Sequence, residues 1–323
     1  MSRIVVADIG GTHARFAIAD TDRGRPISLG PAHTFKTAEH ASVLSAWKAF
    51  SAAAGEPLPR AAAICVACPV SGDMLKLTNN PWVIRPAQIA GTLGLDHLTL
   101  VNDFAAVAHA VAHLDSSHLR HLCGPDLPLP AAGVIGIVGP GTGLGVATLL
   151  RTGETYHVLP GEGGHIDFAP LDSIEDTILQ RLRQRYRRVS VERIVSGPGL
   201  VSIYEALAAI EGRAITVPDD AALWSAAIAG TDDLAVTALD RFCASLGAVA
   251  GDMALVQGAA AVVIAGGVGL RLADHLPRSG FRERFIAKGR FENRMSGLPV
   301  KLAAHPQPGL FGAAAAFLQE HAR

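Results

Sequence analysis

The sequence predicts an α/β fold in two domains. Strand-like and helical stretches alternate along the whole chain, the pattern of an α/β protein. With 323 residues, 49% of them hydrophobic, the chain is long enough for more than one core. A strand–glycine turn–strand unit also occurs twice, at residues 4–19 and again at 133–150, in different halves of the chain.

Composition narrows the function classes. A formal net charge of -1 gives no general attraction to nucleic acid or to anionic membranes. Aromatics are only 5% while glycines number 34, which implies aliphatic cores joined by tight turns. No basic leader precedes an apolar stretch, because the chain enters a strand at Ile4–Ala7. The apolar region 258–270 is interrupted by four glycines and is too short to span a bilayer. The expectation is a cytoplasmic, soluble protein. Of the four cysteines, Cys65 and Cys68 form a C-x-x-C inside a strand-like run, where residues three apart face opposite sides. Cys123 and Cys243 stand alone, so buried thiols are expected rather than a zinc site.

In chain order, Ile4–Ala7 reads as a strand, residues 8–12 (Asp-Ile-Gly-Gly-Thr) as a turn, and Ala14–Ala19 as a second strand. Adjacent glycines let backbone N–H groups gather around an anion, and Asp8 and Thr12 suit hydrated Mg²⁺ and a phosphate oxygen. A plain glycine hairpin has the same pattern. Thr37–Ala54 is expected to be helical, with Val43, Leu44, Trp47 and Phe50 on one face. Ala61–Ala67 follows as a buried strand. Residues 75–82 then form a polar loop containing Thr78, Asn79 and Asn80, fit either to border a polyol or to make an Asn-rich turn. A short helix over 86–93 leads to the apolar strand Leu98–Val101, which ends in Asn102 and Asp103 before an alanine-rich helix. At that strand end Asp103 could accept a proton from a substrate hydroxyl, or could serve only as a helix cap.

Residues 116–132 carry several prolines and read as the connection between domains. Gly133–Val138 is a strand, and the turn Gly139–Gly145 returns the chain to the strand Val146–Leu150. The spacing here matches neither the dinucleotide fingerprint, which lacks its third glycine, nor a P-loop, which lacks its lysine. Glu162 and His165 lie on a glycine-rich loop able to hydrogen-bond neighbouring hydroxyls. The helix 171–186 ends in an arginine run, 181–188, that reads as a solvated helix C-terminus. Glu192 is expected at the surface, with a sugar-binding role as the alternative. Helices follow over 200–210 and 234–257, the second with Phe242, Leu246, Val249, Met253 and Val256 along one side. The strand Ala261–Ile264 ends in Gly266 and Gly267, a pair that would admit a flat ligand such as adenine or could equally be a plain strand-to-helix turn. After a last strand at 298–302, a small-residue helix begins at Pro308; it and the alanine helix after Asp103 can cross closely.

Taken together these motifs resemble the bacterial glucokinases, a zinc-free branch of the sugar kinases with the actin-like ATPase (ribonuclease H-like) fold. The signatures are 8–12, 78–80, 102–104, 141–145, the long run 159–170, 190–193 with 196–199, and 264–267. Phe168-Ala169-Pro170 follows the Gly-Gly-His motif without a cysteine, unlike the zinc-loop relatives, so no structural zinc is expected. With residue 8 already in the first phosphate turn, no N-terminal DNA-binding domain is expected either.

The resemblance implies a small domain (1–113 plus 306–323), a large one (114–305) and a cleft between them. It implies transfer of the ATP γ-phosphoryl group to the 6-hydroxyl of glucose, with Asp103 as general base. Asn102, Glu162, His165 and Glu192 would hold the other hydroxyls. Gly10, Gly11, Thr12, Gly141, Thr142 and Gly143 would cradle phosphates, Asp8 would orient Mg²⁺ through water, and Gly266 and Gly267 would face adenosine. A homodimer is implied, with no nucleic-acid or membrane partner. The alternatives are a kinase using another hexose or phosphoryl donor, and a sugar and nucleotide sensor without turnover. Sequence leaves the roles of His13 and Arg15 open.

Overall fold

A computed structural model describes residues 3–21, 27–77, 80–216 and 219–321; Thr78 and Asn79 of the polar loop lie outside the described residues. The chain divides into two compact units, Met1–Leu114 with His305–Arg323, and Asp115–Ala304.

The first unit carries eight strands among the described residues: β1 (Arg3–Ile9), β2 (His13–Asp20), β3 (Ser28–Leu29), β4 (His33–Lys36), β5 (Ala61–Val66), β6 (Leu75–Lys76), β7 (Val83–Ile84) and β8 (His97–Asn102). Its main sheet runs β3-β2-β1-β5-β8, with β4 also paired to β2. The central strands are parallel, and Ile9 pairs with Val66 and Val66 with Asn102, so β1, β5 and β8 end level. That row of carboxyl ends is where open α/β sheets bind ligands. β5 is buried at every residue, as a strand covered on both faces must be.

The helix Val43–Ala54 starts later than expected because Ser42 and Ser45 form a reciprocal capping box; Thr37–Glu39 is a separate 3₁₀ turn. The helix packs Trp47 and Phe50 into the core, where Phe50 stacks on Phe16 at 5.3 Å. The two small-residue helices, Asp103–His113 and Pro308–His321, do cross closely. At Gly312 a Cβ would overlap the carbonyl oxygen of Ala106, so only glycine permits this approach.

The second unit carries β9 (Leu119–Cys123), β10 (Ala132–Pro140), β11 (Leu144–Thr152), β12 (Tyr156–Gly161), β13 (Ala261–Ile264) and β14 (Val300–Ala303). Its sheet order is β12-β11-β10-β13-β14-β9. Two of these strands depart from the sequence expectation. β9 lies inside the presumed connection and pairs antiparallel with β14 at one edge. β12 extends the glycine hairpin at the other edge; its exposed, short run lacks a strong apolar signal. The helix Asp220–Ala229 is likewise not foreseen, its alanine-rich run having no sharp apolar stripe.

At the centre of this unit lies the helix Asp233–Gln257, with Phe242, Leu246, Val249 and Met253 buried. Val256 departs from that stripe and is 81% exposed. Among the described residues this is the one helix long and apolar enough to cross a membrane, but 72% of its apolar window is buried inside the protein, as in a core helix.

Candidate active site

In the first unit Asp8 lies within β1 rather than in the turn, so the turn is Gly10–Thr12. All three turn carbonyls are held by neighbours. Asn80 donates its amide to the Gly10 oxygen at 3.1 Å, the Thr37 hydroxyl donates to the Gly11 oxygen at 2.9 Å, and the Thr37 N–H donates to the Thr12 oxygen at 3.0 Å. In a trans peptide the N–H points opposite to the C=O. The N–H groups of Gly11 and Thr12 are therefore turned away from Asn80 and Thr37, an arrangement that can receive an anion. Asn80 is buried and also accepts from the Trp82 N–H, so its side chain supports the turn rather than facing a polyol.

Asp8 is held at both oxygens. Arg15, its partner across the β1–β2 pair, donates to Oδ2 at 3.2 Å, and the buried Cys65 thiol donates to Oδ1 at 3.4 Å. Burial first, and then the charges of Asp8 and Asp103, push the Cys65 thiol well above its usual pKa and keep it protonated. Gly309 makes room for the carboxylate, since a Cβ there would come within 2.8 Å of Asp8 Oδ2. His13 is exposed, its ring 3.0 Å from the Thr12 hydroxyl.

At the end of β8 the two polar residues divide their duties. Asn102 is the cap of the helix Asp103–His113, its side-chain oxygen accepting from the N–H groups of Phe104 and Ala105, both at 3.0 Å. Its amide donates to the Cys68 carbonyl at 3.3 Å. Asp103 is the first helical residue, and one carboxylate oxygen accepts from the Phe104 N–H at 2.8 Å. The cap therefore does not depend on Asp103. An anionic side chain in the first helical turn is also favoured by the helix dipole.

In the second unit the turn Gly141–Gly143 joins β10 and β11, with the Gly141 N–H bonded to the Gly143 carbonyl at 2.8 Å. The Gly141 carbonyl accepts from the Gly197 N–H at 2.7 Å, at the start of the helix Gly197–Ile210, and the Trp224 indole donates to the Gly197 carbonyl at 3.1 Å. Glu192 differs from its expected surface position. It is half-buried, and Oε2 accepts the Leu144 N–H at 2.8 Å, immediately after this turn. Gly266, at the end of β13, has φ +79, and a Cβ there would lie 2.5 Å from the Pro140 oxygen. It thus lies against the end of β10, and Gly267 beside it is exposed.

The loop bearing Glu162 and His165 packs on the same hairpin. A Cβ at Gly163 would lie 2.9 Å from Val146, and one at Gly164 would overlap the Leu144 carbonyl, so the glycines permit direct contact. Glu162 and His165 are both exposed. The loop is then joined to the segment before Glu192: Val191 N–H bonds the Ile166 oxygen at 2.9 Å, Phe168 N–H bonds the Val189 oxygen at 3.1 Å, and Asp167 pairs with Ser190. Arg188 completes the clasp, donating to Asp167 at 2.5 Å and to the His165 carbonyl. The unit thereby gathers Gly141, Thr142, Gly143, Glu162, His165 and Glu192 around one hairpin.

A family model named Glucokinase matches residues 5–320 of this chain. The chain belongs to the glucokinase family. It is similar to the Zymomonas mobilis glucokinase, 65% identical over 318 residues, covering 98% of each chain. Among solved structures it resembles a glucokinase from an Antarctic psychrotroph, with TM-score 0.86, 34% identity and 99% of each chain covered. A glucokinase of the ROK family from Streptomyces griseus, solved with glucose and AMPPNP, shares the fold at TM-score 0.65 and 21% identity, covering 97% of this chain and 98% of that one. The fold is thus the actin-like ATPase fold of these sugar kinases.

Against the glucokinase motifs, sequence reasoning missed the supporting residues. Thr37 and Trp224 act through backbone groups of elements distant in the chain, and no local pattern marks them. Arg188 lay in the arginine run read as solvated; it is indeed exposed, but it also fixes the loop.

Proposed function

We propose that this chain transfers the γ-phosphoryl group of ATP to the 6-hydroxyl of glucose, with Asp103 accepting the hydroxyl proton. That the chain is an ATP-dependent glucose kinase rests on its family and on its 65% identity to the Zymomonas glucokinase over nearly the whole length. The observation that carries the proposed base is the division of duties at β8, where Asn102 caps the helix and Asp103 is not required for it. A positioned Asp is the usual proton acceptor in such transfers. Asn102 of the first unit and Glu162, His165 and Glu192 of the second would bind the remaining hydroxyls. Charged and polar groups in those positions would reject a sugar lacking the matching hydroxyl, since a polar group left unpaired in a closed site costs binding.

Phosphates would lie against the Gly10–Thr12 and Gly141–Gly143 turns, whose Gly10 and Gly141 N–H groups already close the turns by bonding the His13 and Gly143 carbonyls, and adenosine against Gly266 and Gly267. The donor set at Asp8 fits Mg²⁺, which prefers oxygen ligands and retains water: one partly exposed carboxylate, already neutralised in part by Arg15, suits a hydrated ion held mainly by phosphates. Bound there, the ion would offset phosphate charge. The units 1–113 with 306–323 and 114–305 would act as small and large domains. A cytoplasmic homodimer without nucleic-acid or membrane partners completes the proposal.

The test is a coupled assay of glucose 6-phosphate formation with Mg-ATP, run in competition across hexoses and across ATP and polyphosphate. Preferred turnover of glucose with ATP supports the proposal. Tight binding of both ligands without product would assign a sensor instead.

A further inference from the structure

The Glu192 carboxylate and Gly143 occupy complementary space. Oε2 of Glu192 bonds the Leu144 N–H at 2.8 Å, and a Cβ on Gly143 would overlap that same oxygen and lie 3.1 Å from the carboxyl carbon. The backbone of Gly143 is not in the left-handed region, so its conformation does not itself demand glycine. What an alanine would meet there is the far end of the Glu192 side chain. By contrast, a Cβ on Gly141, two residues earlier in the same turn, would meet nothing within 4 Å.

We propose that Gly143 is a sugar-affinity residue although it lies in the phosphate turn, because its missing side chain lets Glu192 hold the turn with one oxygen and sugar with the other. The inference rests on the reading above, in which Glu192 binds a sugar hydroxyl and the turn binds phosphate. It makes Glu192 a physical link between the two substrates within one unit. A carboxylate fixed by the Leu144 N–H is presented to the sugar in one orientation, and a sugar that engages Oε1 in turn holds Oε2 on the turn. By linkage, each substrate then tightens the binding of the other by the same factor.

The experiment measures glucose binding calorimetrically with no nucleotide present. Gly143→Ala is expected to weaken glucose binding by about tenfold or more, the loss of roughly one hydrogen bond to a charged group. Gly141→Ala should leave glucose affinity unchanged. Glu192→Ala should weaken glucose binding alone, and adding Gly143→Ala to it should cause no further loss, because the alanine acts only through the carboxylate. Unchanged glucose affinity in Gly143→Ala, beside a weakened Glu192→Ala, overturns the link but leaves the sugar assignment standing. Unchanged affinity in Glu192→Ala overturns both. Amide exchange of the unsubstituted protein reads the same link without any variant. Glucose alone should slow exchange at Leu144, and no slowing there refutes it.

Discussion

Replacing Asp103 with Asn separates a proton acceptor from a helix cap. Asn102 already supplies the cap, with bonds to the Phe104 and Ala105 N–H groups at 3.0 Å. The bond that Asp103 itself accepts, from Phe104 N–H at 2.8 Å, can be accepted equally by an amide oxygen. The interaction of one negative charge with the helix N-terminus, which the amide lacks, is worth about 0.3–1 kcal/mol. A general base contributes far more, about 10²–10⁴ in rate, which is roughly 3–5 kcal/mol of barrier. The two effects are separated by several-fold in energy, so one variant can tell them apart.

The assay pairs steady-state turnover with glucose titration and thermal melting. The expected result is a collapse of kcat with glucose affinity and melting nearly unchanged. Asn102→Ala should show the converse emphasis, a stability loss of about 1 kcal/mol from the missing cap. If Asp103→Asn turns over within about twofold of the parent, where a lost base would cost at least a hundredfold, the carboxylate is not the base.

Gly312→Ala should destabilise the first unit by about 3 kcal/mol or more in chemical denaturation, because the new methyl meets the Ala106 backbone rather than a movable side chain. Arg284→Met leaves Glu175, 1% exposed and bonded to that guanidinium at 2.8 and 2.9 Å, as an unpaired buried charge; a loss of about 3–5 kcal/mol is expected in the second unit's unfolding transition. His109 gives a pH dependence: burial first, and the charge of His113 second, push its pKa down to about 4. Between its ordinary value near 6.5 and about 4 the unfolded chain binds the extra proton, so stability falls as pH falls through that window, by up to about 3 kcal/mol. His109→Gln should flatten the denaturation midpoint against pH there, and an unchanged slope would exclude His109 as its source.

How legible the molecule was depends on whether a feature is written in local pattern. The strands flanking both glycine turns, the buried run Ala61–Val66 and the helix up to Gln257 announce themselves by apolar runs or helical spacing. β12 does not, because an exposed edge strand needs no continuous apolar face. β9 is hidden for a related reason, as only one end of its short run is buried. The start of the helix at Val43 was set by the Ser42–Ser45 capping box, a polar signal that apolar spacing ignores. The glycine turns and the acidic residues were identifiable by type, but not by what each atom does.

Glu192 shows why atom-level roles resist sequence reading. Its local surroundings, Ser190, Val191 and Arg193, are those of a surface turn, and that expectation fails because the deciding neighbour is the Leu144 N–H, 48 positions away. The same holds for the first turn, where Thr37 and Asn80 come from 26 and 70 positions away to take the Gly11 and Gly10 carbonyls. In both units the glycine turn supplies a flexible backbone, but distant groups fix which way its peptide groups point: side chains in the first unit, and the Gly197 N–H with the Glu192 carboxylate in the second. An anion site made of N–H groups exists only once the opposing carbonyls have been satisfied. The turn sequences therefore identify where phosphate could bind, whereas Thr37, Asn80 and Gly197 determine that the turns are held in a shape able to bind it. Substituting the two side-chain supports, Thr37 and Asn80, should weaken nucleotide binding even though neither belongs to a phosphate motif: Thr37→Val removes the hydroxyl donor to Gly11 while keeping the N–H donor to Thr12. A nucleotide affinity unchanged in Thr37→Val would mean that the turn keeps its shape without that bond.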